Sequence, residues 1–288
     1  MENPFFFEND KHNLFGILHS PSEKNNVNAG FVFCYPFAFE AGHCREIYAT
    51  FARRLSAIGY YVLRFNYMGT GDSSGNLDDV TIETQISDII KAIAVLQEKT
   101  NILRIGLMGI GLGASLAALA AGESVIKVDP LILWDPIVDV KKFLDDGFRQ
   151  SVTFQSVIFH EVLYDRKQII NKLITDGKVE HQGYILNIID GNIISRDFYL
   201  QSTGLDLQNH IRNYFGDLLV IQIDKSDVPF RPELLDLMNI CKHNEKTLNI
   251  LHVNESEPWW TPGGKSWISK PDQIFDVTEN WIRGVMER

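Results

Sequence analysis

The chain has 288 residues, room for one large domain or for a core with an insertion, and enough to bury a core without metal or disulfide. Hydrophobic residues make up 45% and charged residues 22%, the balance of a soluble globular protein. Against 27 basic residues stand 37 acidic ones, a net charge of −10 without a basic cluster, which argues against a nucleic-acid partner.

At the N-terminus apolar and polar residues alternate over Phe5–Glu8 and again over Leu14–His19, with the turn-prone Asn9-Asp10-Lys11 between them. This predicts an antiparallel hairpin at a sheet edge. Met1 to Phe7 has no basic stretch and no cleavage motif, and no apolar run approaches the ~18 residues of a membrane span. Cys34, Cys44 and Cys241 form no CxxC pair and read as buried thiols of a reducing compartment. The expectation is a cytoplasmic protein with no membrane span.

Phe31 to Tyr35 is continuously apolar, as a strand covered on both faces should be. A helix follows with Ile47, Phe51, Leu55 and Ile58 on one face, closed by Gly59. Tyr60–Phe65 reads as a strand, and the next helix aligns Ile82, Ile86, Ile89, Ile93 and Leu96. Then come a strand over Ile102–Met108, a small-residue helix over Gly111–Ala121 and a strand over Leu131–Trp134. The rhythm returns with a strand over Leu218–Ile223, a helix near Pro232–Cys241 and a strand over Leu248–Val253. A last helix is expected to bury Ile274, Val277, Trp281 and Val285.

This alternation predicts an α/β fold with a doubly wound, mostly parallel sheet. Residues 138–216 break it, with helical stretches at Asp139–Gln150 and Ile158–Ile174 and a β-like piece over Tyr184–Ile189. The expected organisation is a core of residues 1–137 and 217–288 with an inserted cap over 138–216. A separate small domain is the alternative, but no Pro/Gly/Ser-rich linker flanks the segment.

The chemically informative stretch is Gly109-Ile110-Gly111-Leu112-Gly113, between a strand and a helix. A nucleophile elbow reads G-x-S-x-G, with small residues around a serine held in a strained turn. Here the frame is present and the centre is Gly111, which has no oxygen to attack an acyl carbon. A dinucleotide-binding glycine turn would open the first βα unit, whereas this one follows the third parallel strand, so no cofactor is expected. In a hydrolase of this kind the histidine follows the last strand, yet Asn254 to Ser269 contains none. His252 lies inside the strand run, where a core or edge role is the plainer one. Asp227 stands at the acid position, before Val228-Pro229. Gly111 and Asp227 are therefore vestigial positions. With two of three triad roles absent, ordinary serine hydrolysis is not expected.

Several stretches carry a family resemblance. Tyr35-Pro36-Phe37-Ala38-Phe39-Glu40 with Arg45 beyond it is similar to a P-P-F-A-E-E loop, with Tyr35 and Phe39 as departures. Gly69-Thr70-Gly71-Asp72-Ser73-Ser74-Gly75 matches a G-x-G-D-S-x-G turn, and the altered elbow runs from Leu107 to Ala114. Leu133-Trp134-Asp135-Pro136-Ile137-Val138 and Gly183-Tyr184 fit as well. Together these resemble the α/β-hydrolase-like proteins associated with exosortase and exopolysaccharide clusters, relatives of the serine-aminopeptidase-like hydrolases. The resemblance implies an α/β-hydrolase fold and a hydrolase heritage, and it points to an acyl or saccharide intermediate of polysaccharide assembly.

Three readings compete. In the first, a non-catalytic pocket binds a small anionic or acyl ligand. Phe37 and Ala38 line the former oxyanion region, and the amides of Leu112 and Gly113 point into it from a helix N-terminus. In the second, carboxylates at the strand ends (Glu40, Asp135, Asp227, Glu255 and Glu257) do acid–base work in an unorthodox hydrolase or acyl-transfer enzyme. Cys34 is a poor nucleophile inside its strand. His160 and His181 would act only if the cap folds over the pocket, and Arg45 beside Glu40 reads as a structural pair. In the third, Trp259 and Trp260 beside Pro258 anchor a protein partner or a second copy, against the plainer role of packing on the cap. The candidate ligand-binding residues are Phe37, Ala38, Glu40, Leu112, Gly113, Asp135 and Trp259; no metal site is read.

Overall fold

The computed structural model describes residues 1–36, 39–189, 191–224, 228–241, 248–254 and 271–286. The hairpin forms as predicted: β1 (Glu2–Asn9) pairs antiparallel with β2 (His12–His19), from Glu2 opposite His19 to Asn9 opposite His12. The chain turns at Asp10, whose φ of 49° is left-handed, a region aspartate tolerates. The alternating units then follow: β3 (Ala29–Cys34), α1 (Phe39–Ala57), β4 (Tyr61–Phe65), α2 (Ile82–Thr100), β5 (Arg104–Ile110), α3 (Leu112–Glu123) and β6 (Val128–Trp134). Every residue of β3 and of β6 is buried, which explains why these strands read as unbroken apolar runs.

Between β6 and the next long strand lie α4 (Val140–Gly147), α5 (Arg149–Ile158) and α6 (Arg166–Asp176). Two short hairpins follow, β7 (Glu180–His181) with β8 (Tyr184–Ile185) and β9 (Ile188–Ile189) with β10 (Asn192–Ile193), then α7 (Arg196–Ser202) and α8 (Leu207–Arg212). The helix predicted over Ile158–Ile174 does not form as one: α5 ends at Ile158 and α6 begins at Arg166. The chain turns through His160 at φ 59°, and α6 starts afresh behind Asp165, which caps it by accepting the Gln168 amide at 2.9 Å. Buried Gln155 holds the turn, accepting the Leu163 and Tyr164 amides and donating to the Tyr164 carbonyl.

The alternation resumes with β11 (Leu218–Asp224), α9 (Pro232–Cys241), β12 (Leu248–Asn254) and α10 (Asp272–Met286). The eight-stranded sheet runs β1-β2-β4-β3-β5-β6-β11-β12, parallel from β4 to β12. One layer of helices is a chain of contacts, α2 on α3, α3 on α8 and α8 on α9. The other joins α1 to α10 through stacked Phe51 and Phe275, with ring centroids 4.8 Å apart. In α10 the buried stripe is Ile274, Phe275, Thr278, Ile282 and Val285, while Val277 and Trp281 are half-buried at its margin.

Fully buried Trp134 sits at the C-terminal end of β6 against Phe51 and Phe275, and its Nε1 donates to Thr278 Oγ1 at 3.1 Å. On the other side of the sheet centre, the Gly69–Gly75 turn serves as a clasp. Ser73 Oγ accepts the Phe15 amide at 2.9 Å and donates to the Asn66 carbonyl at 2.7 Å, while Ser74 Oγ accepts the Asn13 amide at 2.8 Å. The hydroxyls of this motif thus bind the N-terminal hairpin to the core. The strand order reverses at β3, which lies between β4 and β5, and ligands of open α/β sheets bind beyond the strand ends at such a point.

Candidate functional site

Gly111 lies beyond the C-terminal end of β5 with φ 57° and ψ −127°, a pair that side-chain-bearing residues adopt only under strain. Its amide donates to the Trp134 carbonyl at 3.0 Å, and its carbonyl accepts from Ala114 and Ile137 at 3.2 and 3.4 Å. The sharp strand-to-helix turn is therefore built although the central side chain is missing. Its flanks explain the glycine frame. A Cβ on Gly113 would stand 2.3 Å from the Tyr35 carbonyl oxygen and 2.5 Å from that of Cys34. One on Gly109 would meet the Gly113 oxygen at 2.3 Å. Close approach of α3 to β3 and β5 thus leaves room for hydrogen alone. Leu112 and Gly113 open α3, where first-turn amides lack a partner inside the helix and carry the positive end of its dipole.

Next to the elbow, Asp135 follows β6 with φ 47°, its amide donating to the Ile221 carbonyl at 2.7 Å. Arg231, just before α9, donates from Nη2 to Asp135 Oδ1 at 2.9 Å and to the Pro136 carbonyl at 3.3 Å. The Arg231 amide donates to Gln222 Oε1 at 2.8 Å; buried Gln222 in turn donates to Asp224 Oδ2 at 2.8 Å and to the Pro229 carbonyl at 3.1 Å. Asp224 Oδ1 pairs with His252 Nε2, and the Phe230 ring lies against the imidazole. A connected polar chain, Asp135–Arg231–Gln222–Asp224–His252, thus runs across the ends of β6, β11 and β12.

Burial raises the Asp135 carboxyl to about 6, against the opposing charge of Arg231; Asp224 and Glu233 push it the same way as burial. A second titrating group lies at the far side of the sheet. Buried His19 accepts from Arg64 Nε at 3.0 Å, and Arg64 Nη1 donates to the Tyr35 hydroxyl at 3.0 Å. Burial, then the Arg64 charge, lowers His19 to about 4.

The two groups act on stability with opposite signs. The folded state holds the Asp135 proton more tightly than the unfolded chain, so stability falls as pH rises from about 4 to about 6. It holds the His19 proton less tightly, so stability rises from about 4 to about 6.5. Each contributes roughly 3 kcal/mol over its window, and in the wild type the two largely cancel. Chemical denaturation at pH 4, 5 and 6 is expected to separate them. Relative to wild type, Asp135→Asn gains stability as pH rises, and His19→Gln loses it. Curves that stay parallel for all three proteins would contradict this account.

Of the sequence-derived candidates, Gly111, Leu112, Gly113 and Asp135 come together at the elbow end of the sheet. Asp135 is one half of an ion pair rather than an open ligand group. Phe37, Ala38, Asp227, Glu255, Glu257, Trp259 and Trp260 lie outside the described residues, as does the side chain of Glu40 in the first turn of α1. His160 is exposed, and His181 lies edge-on to Phe159 with centroids 5.2 Å apart. Cys34 and Cys44 are buried, and burial holds the Cys34 thiol far above its ordinary range, which removes it as a nucleophile. Among the described residues no group of His, Cys, Asp or Glu is placed to hold a metal ion, and no helix is long and apolar enough to cross a membrane. Sequence reasoning left out Arg231, Gln222 and Asp224 and gave His252 no acid partner. The signal available was register: Gln222 pairs with His252 across parallel strands, which puts Asp224 two residues on along the same face.

The fold is shared widely among solved hydrolases. Est1E from Butyrivibrio proteoclasticus, solved with ferulic acid bound, superimposes with a TM-score of 0.67 at 14% identity over 99% of this chain and 100% of that one. An esterase of Pyrococcus furiosus gives 0.62 at 15% identity, covering 99% and 91% of the two chains. The α/β hydrolase GrgF from Penicillium sp. sh18 gives 0.62 at 17% identity over 100% of both. Among curated proteins none matches the chain significantly. The family model of the serine aminopeptidases, S33, matches residues 41–197, from α1 through the elbow into α7. That match spans more than half of an α/β-hydrolase fold whose elbow turn is intact, and the chain belongs to the serine aminopeptidase S33 family.

Proposed function

We propose that the chain is a non-catalytic member of its family, a pocket protein that binds an acyl or saccharide-type ligand without turning it over. The observation that carries this reading is Gly111: the turn that would present a nucleophile is formed, and the residue in it has no side-chain oxygen. The loop that would supply the histidine, Asn254 to Ser269, contains none. The amides at the start of α3 still suit a carbonyl or carboxylate oxygen, and in this reading residues 138–216 act as the cap above them. The resemblance to exopolysaccharide-associated proteins supports a ligand drawn from the cytoplasmic intermediates of polysaccharide assembly.

The test is a turnover assay with p-nitrophenyl butyrate and butyryl thioesters, comparing wild type with Gly111→Ser. Both proteins are expected to match the rate without protein, because the loop after the last strand offers no histidine to a serine at position 111. The substitution also strains its turn, at a cost of about 1–3 kcal/mol at this φ. Wild-type turnover above background would overturn the reading.

One observation favours a second reading. The Asp224–His252 pair is an acid-oriented imidazole at the strand ends, the arrangement a general base requires. In that case the protein hydrolyses an ester with activated water and no acyl intermediate. The wild type then shows turnover that falls at least about 100-fold in His252→Gln, the ordinary loss for a general base.

A further inference from the structure

The pocket reading leaves open how an anionic ligand is held, and a role for Arg231 in holding it rests on that reading. Arg231 is an incompletely used cation. A guanidinium offers a planar fork that fits both oxygens of one carboxylate. Here Asp135 meets it with a single oxygen, through Nη2. Among the described residues its buried Nε–H has no acceptor, and Glu233 Oε1, at 3.9 Å, is beyond hydrogen-bond reach. The backbone of Asp135 is fixed by its left-handed φ and its amide bond to Ile221, and its carboxyl meets the guanidinium at one corner of the fork.

Among the described residues the charged groups facing that carboxyl are Arg231 just before α9, Glu233 in its first turn and Asp224 from β11, the last in contact with His252; the Ile223 amide also donates to it. We propose that Arg231 is the carboxylate-recognising residue of the pocket, and that a ligand carboxylate takes its fork from Asp135, which takes up one proton in exchange. Charge balances: the ligand brings one negative charge, solvent supplies one proton, and the Asp135 carboxylate becomes a neutral acid. No covalent bond to the ligand forms or breaks. Burial and the neighbouring carboxylates raise the Asp135 carboxyl to about 6, which keeps the uptake of a proton within reach near neutral pH.

The experiment is calorimetric titration of the full chain with hexanoate at pH 5.5, 6.5 and 7.5, in two buffers of different ionisation heat. Wild-type affinity is expected to fall about tenfold per pH unit above about 6, with one proton taken up. Asp135→Asn, which keeps an acceptor beside Arg231, is expected to bind hexanoate with no such pH dependence. Arg231→Gln is expected to weaken binding at least about tenfold, and Arg231→Lys, which has charge but no fork, to fall between. Circular dichroism of each variant confirms that it is folded. Unchanged hexanoate affinity in Arg231→Gln, or pH-independent binding by wild type, would overturn the proposal. Methyl hexanoate separates this from the wider reading. If the neutral ester binds while hexanoate binds without regard to Arg231 or pH, the proposal falls and the pocket stands. If neither binds, the proposal and the acyl half of the pocket reading both fall.

Discussion

Gly113→Ala is expected to destabilise the protein by about 3–5 kcal/mol, enough to leave much of it unfolded or insoluble. The added methyl has nowhere to go. Its carbon would lie 2.3 and 2.5 Å from two backbone oxygens of the β3 end, and backbone atoms cannot swing aside as a side-chain tip can. Relief requires α3 to slide away from the sheet, and all of its residues from Leu112 to Ala120 are buried. Thermal and urea denaturation measure the loss. Gly284→Ala is the matched control, since that helical glycine in α10 has nothing within 4 Å of the new methyl. It is expected to gain up to about 1 kcal/mol from helix propensity. A Gly113→Ala protein as stable as wild type would mean that α3 does not start against β3 as described.

The second large effect is expected at Trp134. Trp134→Ala removes a fully buried indole from between Phe51 and Phe275, and leaves the Thr278 hydroxyl without its donor. Large-to-small changes of this kind cost about 3–5 kcal/mol. The functional consequence is specific to this fold: the Trp134 carbonyl accepts the Gly111 amide, so a collapse of β6 into the cavity reaches the elbow directly. Trp134→Phe, which keeps most of the volume and loses the hydrogen bond, is expected to cost about 1–2 kcal/mol. Measured together, the two variants separate packing from the hydrogen bond. Equal losses would assign the whole effect to Thr278.

The sheet was legible because its central strands are covered on both faces and its helices on one. Phe31–Tyr35 and Leu131–Trp134 could be read as buried runs, and the Ile82–Leu96 stripe as a helix face, since burial imposes those patterns directly. The segment after β6 was less legible. Apolar residues from Ile158 to Ile174 keep helical spacing across a turn at His160; the break shows in the Asp165–Gln168 capping box that starts α6 and in Gln155, eight and nine residues upstream in sequence, which satisfies the turn's amides. Strands of two residues, as in β7 to β10, are too short to alternate visibly.

At the site, Gly111 was legible because the frame of an elbow is local in sequence. The Asp135–Arg231 and Asp224–His252 pairs were not, since 96 and 28 residues separate their partners, and only strand order and register bring them together. The raised carboxyl of Asp135 has the same origin. A residue at the end of a strand is buried or solvated according to what crosses above it, and here that is Arg231 and the start of α9.

The central claim is that the pocket holds an acyl compound and leaves it intact. The most direct measurement follows methyl hexanoate by proton NMR with the wild-type protein, with intact-protein mass spectrometry on the same sample. The account predicts saturation transfer from protein to ester, methanol released no faster than in buffer, and an unchanged protein mass. Methanol appearing faster than in buffer, or an added acyl mass on the chain, would contradict it.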